Sequence, residues 1–385
     1  MEIPRILFLT CMPLEKPRTA SMVFMDLLLK KYPTKFAWFS LRNSPNPVND
    51  LYKIPYSYAA PLSFPSRFPW VKQFLNLILY SRVFGRKAAK FGRRQGSQLV
   101  LADLAFEAVV AGRVAARQLG VPLLVMVHDD PVNRLRVKGL PGWLIRLYAR
   151  EFSRTLKAAS GVAVISDYMG EYYRDQYQVG SVTLFPGVDP QKCLRPGKFS
   201  GDKKPFVIGS LGSVNSADNW NLLLEVVRLL NQKHGVGKFK ILHIGQLPSH
   251  LPVSEDVEVT GWLPEKEFIE NLARLDLGFL NWPFDPQYAV TTRTSLPLKI
   301  TSYIQAQVPM LALGPEGSSV NRFVRDHECG STITNSDVNV LADTIEKMVR
   351  LMSDTGSFKK GLESLKVLYN KEAFYDAFGK FVGRA

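Results

Sequence analysis

Short apolar runs alternate with helical segments along the whole chain, and this alternation limits the folds that the sequence can adopt. In the first half, RILFLT (5–10) precedes an apolar helical pattern over 21–32, and VPLLVMV (121–127) is a continuous apolar run. In the second half, PFVIGSLG (205–212) and FKILHIG (239–245) have the same character. Strands that are apolar on both faces are typical of parallel sheets covered by helices on both sides. We therefore predict an α/β protein in which each half is a doubly wound parallel sheet.

The length of the chain predicts two domains, since it has 385 residues and a domain averages about 150. PQKCLRPGKFSGDKKP (190–205) is rich in Pro, Gly and Lys, has no apolar period, and separates the two alternating patterns. We expect an N-terminal Rossmann-like domain at 1–195 and a C-terminal domain at 196–357. Residues 358–385 predict a helix without a strand of its own, which we expect to pack back on the first domain.

The stretch 291–319 combines a turn, a helix, a strand and a glycine-rich loop. Thr294 and Ser295 are favoured N-cap residues and Pro297 suits a first helical turn, so we expect a helix to begin here. A helix N-terminus offers N–H donors and a positive dipole end, which suit a phosphate group. Lys299 adds a full positive charge. The stretch alone is equally compatible with a capped helix that binds no ligand.

Positive charge is concentrated in the first half of the sequence. The net charge is +15; residues 1–200 hold 29 basic and 13 acidic side chains, whereas residues 201–385 hold 20 and 21. Such an uneven distribution indicates that one domain meets an anionic partner. We expect no nucleic-acid partner, because no motif beyond charge supports one.

Residues 67–94 combine aromatic and aliphatic side chains with a basic end and contain no Asp or Glu. This pattern is typical of a helix that lies on an anionic membrane surface, although a core helix with a solvated basic end fits it equally well. No run of 18 apolar residues free of charge occurs, and no signal peptide is recognisable. We expect a cytoplasmic protein, peripheral at the inner face of the membrane. The eight basic residues of the segment are Arg67, Lys72, Arg82, Arg86, Lys87, Lys90, Arg93 and Arg94.

Three polar residues, His128, Asp129 and Asp130, directly follow the apolar run 121–127. Ligands of open α/β sheets gather at the carboxyl ends of the strands, so these three residues are candidate catalytic groups. A histidine at a strand end is also common as a purely structural hydrogen-bonding residue. The three cysteines and five histidines are scattered without metal-ligand spacing, and we expect no metal site.

Four motifs occur in the order and spacing typical of GT-B glycosyltransferases. AVISDYM followed by LFPGVDP (163–190) resembles the "vSxxm … ipNGvD" signature that closes the first domain of the large family-4 type, glycosyl transferases group 1. VIGSLGS (207–213) resembles the strand and turn that open the donor domain. VEVTGWLP (257–264) with the helix and strand after it is similar to "v.f.G.v … aDv.l.Pf", and the residues from Pro297 onward resemble "PxKlxEYlaaGxPvla". The resemblance covers nearly the whole chain.

This resemblance implies the GT-B fold, with two Rossmann-like domains facing across a cleft, and it implies roles for individual residues. His128 matches the family histidine that contacts the donor sugar near the reacting carbon. Other positions match those that hold the diphosphate, the base and the sugar of the donor. The residues implied to bind the nucleotide sugar are Gly212, Asn215, Gly261, Leu263, Arg293, Thr294, Ser295, Lys299 and Ser302.

The sequence departs from the family pattern at charged positions. Retaining enzymes usually carry two glutamates eight residues apart, and here these positions are Thr294 and Ser302. The Arg and Lys that usually grip the diphosphate have no equivalent in GSVNSADNW (212–220), where Arg293 is a candidate substitute. The glycine-rich loop after the first strand is replaced by CMPLEKP (11–17).

These observations predict a glycosyltransferase of the hexosyltransferase type, active in surface polysaccharide synthesis. It would move a sugar from a nucleotide diphosphate to a glycan or lipid-linked acceptor at the cytoplasmic membrane face. We expect metal-independent transfer, because no D-x-D motif is present, and no cofactor other than the nucleotide-diphosphate sugar as co-substrate. Retention is favoured over inversion, in which His128, Asp129 or Asp130 would serve as base, but both routes stay open. The alternative is a catalytically silent GT-B-like protein that binds a sugar or nucleotide.

Overall fold

Two compact units make up the protein, as seen in a computed structural model. The first unit comprises Met1–Phe185 with Phe374–Ala385, and the second comprises Pro186–Ala373. The predicted boundaries after residues 195 and 357 differ from this division, because the turn after Phe185 and most of the C-terminal segment before Phe374 group with the second unit. The structure describes residues 3–14, 20–43, 52–63, 69–194, 205–354 and 357–384. Part of the loop 11–17 and most of the linker 190–205 therefore lie outside the described residues.

The first unit is built on a seven-stranded parallel sheet with strand order β3-β2-β1-β4-β5-β6-β7. The central strand β1 pairs with β2 and β4, placing Ile6 beside Phe36 on one side and Leu99 on the other. All residues of β1, β2, β4 and β5 are buried, which explains why these strands are apolar without alternation. The strands are β1 Ile6–Thr10, β2 Phe36–Ser40, β3 Tyr56–Tyr58, β4 Leu99–Asp103, β5 Leu123–Val127, β6 Gly161–Val164 and β7 Val182–Thr183.

Helices cover this first sheet. The segment predicted as one helix over 68–94 is interrupted, since a π-helical segment, Leu75–Tyr80, joins α2 to α3. A Cβ added at Gly85 of α3 would lie 2.6 Å from the Val114 Cβ of α4, so glycine permits the close packing of these two helices. The helices are α1 Ala20–Lys31, α2 Pro69–Phe74, α3 Ser81–Arg94, α4 Ala108–Leu119, α5 Pro131–Val137, α6 Gly142–Ala158 and α7 Asp167–Tyr177.

The second unit repeats the architecture with a six-stranded parallel sheet of order β10-β9-β8-β11-β12-β13. The predicted doubly wound parallel sheet is thus confirmed in each unit. Short 3₁₀ turns occur at Pro190–Lys192 and Pro286–Tyr288. The strands are β8 Phe206–Leu211, β9 Phe239–Ile244, β10 Val257–Val259, β11 Leu277–Asn281, β12 Met310–Leu313 and β13 Gly330–Ile333.

Seven helices of the described chain belong to the second unit, and an eighth links it to the first. The helix after β8 begins at Ala217, and its N-cap is Ser216, whose hydroxyl accepts the Asn219 N–H at 3.2 Å. Among the described residues, no helix has the length and apolar character needed to cross a bilayer. The helices are α8 Ala217–His234, α9 Glu265–Leu272, α10 Ala289–Thr294, α11 Lys299–Ala306, α12 Ser319–Asp326, α13 Val338–Asp354, α14 Lys359–Leu368 and α15 Lys371–Val382.

The C-terminal segment forms two helices rather than the one predicted. Helix α14 groups with the second unit, whereas most of α15 belongs to the first. In α15, Phe374 packs edge-on against Phe24 with ring centroids 5.0 Å apart, and Phe378 stacks on Phe36 at 6.3 Å. The aromatic residues of α15 are therefore part of the core beneath the first sheet.

Candidate functional site

The helix expected to begin at Thr294 begins five residues later, at Lys299. Residues up to Thr294 form the short helix α10, and Ser295 is its extended C-cap, whose N–H donates to the Thr291 carbonyl at 2.8 Å. The first bond of the following turn runs from the Ile300 N–H to the Pro297 carbonyl at 3.1 Å. Pro297 disfavours helical φ and ψ angles at the preceding residue, Leu296, and this separates α10 from α11.

Thr294 and Ser295, which the resemblance implies to bind the donor, use their hydrogen-bonding groups within the protein. Thr294 is fully buried, and its hydroxyl donates to the Val290 carbonyl of its own helix at 2.7 Å. The Ser295 N–H is used by α10, and the Ser295 carbonyl accepts a hydrogen bond from the Ser319 hydroxyl of α12. The Thr294 hydroxyl and the Ser295 N–H are thus used within the protein, and their implied contacts with the sugar and the diphosphate of the donor stay predictions.

Lys299 lies in the first turn of α11 and reaches the turn that follows β8. Its ammonium donates to the Ser213 carbonyl at 3.0 Å. Burial lowers the pKa of this ammonium to about 8, since low-dielectric surroundings disfavour a charge. Lys299 and the residues after Gly212, which the resemblance implies separately to bind the donor, are thus in contact within the second unit.

Tyr303, one helical turn after Lys299, fixes α11 on the sheet. Its hydroxyl lies 2.8 Å from the Gly209 carbonyl of β8 and 3.0 Å from the Phe279 carbonyl of β11. A Cβ added at Gly278 would lie 2.6 Å from the Tyr303 ring, so the ring covers a glycine of β11. In the sequence, Tyr303 fits the apolar helix face as any apolar residue would. The glycine inside the apolar run LDLGFLN is the signal for a close approach.

Two glycines build the turn after β8 from backbone alone. Gly212 has a left-handed φ of +66°, and its N–H donates to the Ile244 carbonyl of β9 at 2.9 Å. Gly245, with φ +143°, faces it so closely that an added Cβ would lie 3.0 Å from the Gly212 Cα. The Gly212 N–H is therefore used inside the sheet, and the expected backbone contact of Gly212 with a phosphate stays a prediction. The part of this turn that remains for a ligand begins at Ser213.

Asn215 ties the start of α8 to the carboxyl end of β11. Its side-chain amide donates to the Asn281 carbonyl at 3.3 Å, and the amide of Asn219 donates to the Trp282 carbonyl at 2.9 Å. The N-terminus of α8 is thereby held at the same sheet edge as the β8 turn. A helix N-terminus with a neighbouring ammonium is a suitable place for a phosphate.

His243, which the sequence analysis did not single out, lies at the end of β9. It is buried, its Nδ1 is 3.1 Å from the Ser210 hydroxyl, and its ring packs edge-on against Trp220 at 5.6 Å. Burial and the nearby charge of Lys299 lower its pKa to about 4. His243 is therefore neutral at neutral pH and adds no second positive charge beside Lys299.

The other residues expected to contact the donor differ in their surroundings. Gly261 turns the chain after β10 with φ +71°, next to Thr260, whose N–H donates to the His243 carbonyl at 3.1 Å. Leu263 is partly buried, and Ser302 is partly buried on α11. Arg293 is exposed on α10, and in the described part of the chain no hydrogen bond or ion pair brings it to Lys299 or the β8 turn.

In the first unit, His128 occupies the carboxyl end of β5 as expected. Its ring packs edge-on against Phe24 at 5.2 Å, and its Nε2 is shielded from solvent without a hydrogen-bond partner among the described residues. Asp103, at the end of the neighbouring β4, is buried and accepts a hydrogen bond from the Thr10 hydroxyl at 2.9 Å. Burial raises the pKa of Asp103, while the adjacent charge of His128 opposes this shift.

Asp129 and Asp130 have different surroundings. Asp130 is buried and caps α5; one oxygen accepts the Asn133 N–H at 2.7 Å and the other the Tyr173 hydroxyl at 3.2 Å. Burial raises the pKa of Asp130 despite these bonds. Both Asp130 oxygens accept hydrogen bonds within the first unit, and its expected role as a base stays a prediction. Asp129 is about half exposed, 3.8 Å from Arg134.

Comparison with a family model links the first unit to known proteins. Residues 52–186, about a third of the chain, match the model of the glycosyl transferase 4-like domain. A search among curated protein sequences finds no match.

Solved structures resemble the chain over nearly its full length. HepE from Anabaena, in a complex with UDP, is 14% identical, with a TM-score of 0.67 over 99% of this chain and 100% of that one. Sucrose-phosphate synthase from Thermosynechococcus elongatus is 16% identical, with a TM-score of 0.69 over 98% of each chain. The lipopolysaccharide outer core galactosyltransferase WaaB is 10% identical, with a TM-score of 0.67 over 98% of this chain and 99% of that one. At such identities the likeness establishes the fold, and it confirms the predicted GT-B fold and the predicted resemblance to the family-4 type.

Proposed function

We propose that this protein is a glycosyltransferase that moves a sugar from a nucleotide diphosphate to an acceptor. The observation that carries the proposal is the partly buried Lys299 ammonium, which donates to the Ser213 carbonyl of the β8 turn beside the start of α8 and whose pKa is lowered by burial. No carboxylate pairs with it in the described part of the chain. A charge that has lost water without gaining an opposite charge is stabilised by an anionic ligand. The departing diphosphate of a nucleotide sugar supplies such an anion.

The chemistry requires little beyond this charge and its orientation. When the sugar–phosphate bond breaks, negative charge develops on the diphosphate, and the ammonium with the α8 dipole stabilises it. The unpartnered Nε2 of His128 suits a hydroxyl of the transferred sugar. If transfer inverts, Asp129 is the remaining carboxylate candidate for the base at this strand end, because Asp130 is engaged in capping. We favour retention without a metal ion.

The comparisons support a uridine nucleotide as the first donor to test. The match of residues 52–186 is to a glycosyl transferase 4-like domain, and one HepE structure contains UDP-glucose. We expect UDP or a UDP-sugar to raise the melting temperature without added metal, and Lys299→Ala to abolish most of that shift. Lys238→Ala, which removes an exposed lysine next to the opposite, amino end of β9, is the matched control. Absence of a shift with every nucleoside diphosphate and nucleotide sugar would refute the proposal.

A catalytically silent sugar or nucleotide-binding protein is the second candidate function. It is favoured by the buried Thr294 and by Ser302, which stand where the retaining enzymes carry carboxylates. An assay of UDP release from UDP-sugars, with and without glycan acceptors, separates the two functions. For a transferase, we expect release that His128→Ala lowers by at least a hundredfold, since precise contacts at a reacting centre contribute about that much. Release that is absent from the wild type, in the presence of nucleotide binding, would favour the silent protein.

We also propose that the acceptor is a glycan or a lipid-linked sugar at the inner face of an anionic membrane, in surface polysaccharide synthesis. The outward side of α3 is basic, and exposed apolar side chains lie in the same unit. Trp143 at the start of α6 packs edge-on against Trp70 with centroids 5.8 Å apart, which joins it to the segment predicted from sequence. Arg67, the first basic residue of that segment, lies outside the described residues. The exposed apolar residues are Trp70, Leu79, Val83 and Trp143.

A further inference from the structure

Two cations share one aromatic ring at the carboxyl edge of the first sheet. The Lys138 ammonium lies 4.2 Å from the centroid of Phe106, and the Arg134 guanidinium carbon lies 5.2 Å from it. Phe106 adopts a left-handed φ of +43°, and its carbonyl accepts the Tyr148 hydroxyl at 2.9 Å. The backbone of Phe106 is thus held by Tyr148 of α6, and its ring holds the two positive charges close to each other.

Arg42 adds a third cation from the end of β2. One of its guanidinium nitrogens lies 3.2 and 3.3 Å from the two carboxylate oxygens of Glu107, and the other donates to the Leu41 carbonyl at 2.8 Å. Burial lowers the pKa of the Lys138 ammonium, and the charges of Arg134 and Arg42 lower it further. The charge of Glu107 opposes this shift, and an anion bound beside Lys138 would further relieve its repulsion by Arg134 and Arg42.

The carboxylates nearby do not compensate all three charges. Glu107 is buried, and both its oxygens are engaged with Arg42, while Asp129 lies 3.8 Å from Arg134. In the part of the chain that the structure describes, Lys138 has no carboxylate partner. Lys138 and Arg134 are exposed, so a soluble or membrane-borne anion can reach them.

The cations border the histidine assigned to the transferred sugar. The charges of His128 and Arg134 lower the pKa of the Asp103 carboxyl, and the charge of Asp129, which lies between them in the sequence, raises it. An anion on Arg134 and Lys138 would consequently lie at the same sheet edge as the His128 ring. Phosphate and carboxylate groups are the anions that guanidinium and ammonium groups bind by charge-assisted hydrogen bonds.

We propose that Lys138 and Arg134 bind an anionic group of the sugar acceptor, a phosphate or a carboxylate, next to His128. This inference rests on the proposed transferase function and specifies its acceptor as an anionic molecule. Binding the anion orients the rest of the acceptor, so that a hydroxyl can be presented at the β5 end. Arg42 contributes long-range attraction while remaining paired with Glu107.

The test is an equilibrium titration of the full chain without nucleotide, using glucose 6-phosphate, glucuronate and uncharged glucose at one ionic strength. A parallel arm uses phosphatidylcholine vesicles with and without phosphatidic acid, which distinguishes a lipid phosphate from a free one. We expect an anionic probe to bind in at least one arm. Lys138→Gln with Arg134→Gln should weaken this binding about a hundredfold, since each of the two lost charged hydrogen bonds removes roughly a factor of ten. Lys157→Gln, an exposed lysine on α6, should bind as the wild type does.

Three further measurements separate the outcomes. Lys138→Arg keeps the charge and should retain binding, and the single Lys138→Gln variant serves if the double variant does not fold. UDP should still raise the melting temperature of the double variant; if UDP fails with the wild type while anion binding is lost in the variant, the donor proposal fails and the anion site stands. Equal anion binding by the wild type and the double variant in both arms, or no anion binding by the wild type, would overturn the inference.

Discussion

Lys299 carries the charge on which the proposed donor binding depends, and its lowered pKa means that this charge is lost within an accessible pH range. Its pKa in the folded protein is about 8, below the value of about 10.4 for a lysine in an unfolded chain. Between these two values the unfolded chain binds more protons, so the contribution of Lys299 to the free energy of unfolding rises with pH. Its contribution to anion binding changes in the opposite direction, because only the ammonium form attracts a diphosphate.

The affinity for UDP should therefore fall as the pH rises from 7 to 9. We expect a loss of up to about tenfold, since roughly nine in ten ammonium groups with a pKa of 8 are neutral at pH 9. Titration calorimetry at constant ionic strength measures this. In Lys299→Arg the guanidinium stays charged throughout, so the pH dependence should largely disappear. A wild type and an arginine variant with the same pH profile would show that another group controls binding.

Single residues of this site differ in how far the sequence could predict them. The position of Lys299 followed from a helix start near a proline, and the β8 turn did receive its ammonium. Thr294 and Ser295 were read as caps of the same helix, but a short helix before Pro297 takes up both. Residue preferences alone could not distinguish the end of one helix from the start of the next, because serine and threonine side chains can hydrogen-bond to the backbone at either helix end.

At the scale of elements, apolar runs predicted the strands best where both faces are buried, as in β1, β2, β4, β5 and β11. The docking of one element on another was not predictable in the same way. Tyr303 fits the helical period of α11 as any apolar residue would, yet its hydroxyl reaches β8 and β11. Such contacts depend on the three-dimensional approach of a helix to glycines in two strands, and the one-dimensional pattern contains only the glycine.

The close approach of α11 to β11 makes Gly278 a sensitive position. In Gly278→Ala, the new Cβ would lie 2.6 Å from the Tyr303 ring, so helix or strand must shift. We expect a loss of about 1–3 kcal/mol in the free energy of unfolding, which is typical of overpacking. UDP affinity should fall as well, since Lys299 lies on the displaced helix.

Urea unfolding followed by fluorescence, together with UDP titration, measures both effects. Gly317→Ala is the matched control, because an added Cβ there meets nothing within 4 Å. It should leave the free energy of unfolding within about 0.5 kcal/mol of the wild type. If Gly278→Ala is as stable as this control, the contact of the Tyr303 ring with Gly278 does not hold α11 in place.

At the scale of the whole molecule, the uneven distribution of charge follows the division into units. The excess of basic residues falls before residue 201, and much of it lies on α3, whose apolar side packs against α4 through Gly85. The second unit has nearly balanced charge, although it contains the site proposed for the anionic nucleotide. A few desolvated groups are enough for a small ligand, whereas a broad basic surface suits an extended anionic partner.

The basic side of α3 should therefore determine binding to anionic membranes. In the triple variant Arg86→Gln, Lys87→Gln and Lys90→Gln, three exposed charges are removed without changing the buried side of the helix. We expect flotation with vesicles containing phosphatidylserine to weaken about a hundredfold, at roughly 1 kcal/mol for each charge. Binding should also decrease with added salt, and vesicles of phosphatidylcholine alone should bind weakly.

A control with the same loss of charge places the effect on α3. Lys238→Gln, Lys347→Gln and Lys359→Gln remove three exposed lysines from the second unit, and this variant should float as the wild type does. If both triple variants lose membrane binding equally, net charge alone explains attachment and α3 has no special part in it. If neither loses it, the basic side of α3 is a solvated surface, and the exposed aromatic pair Trp70 and Trp143 becomes the next feature to test.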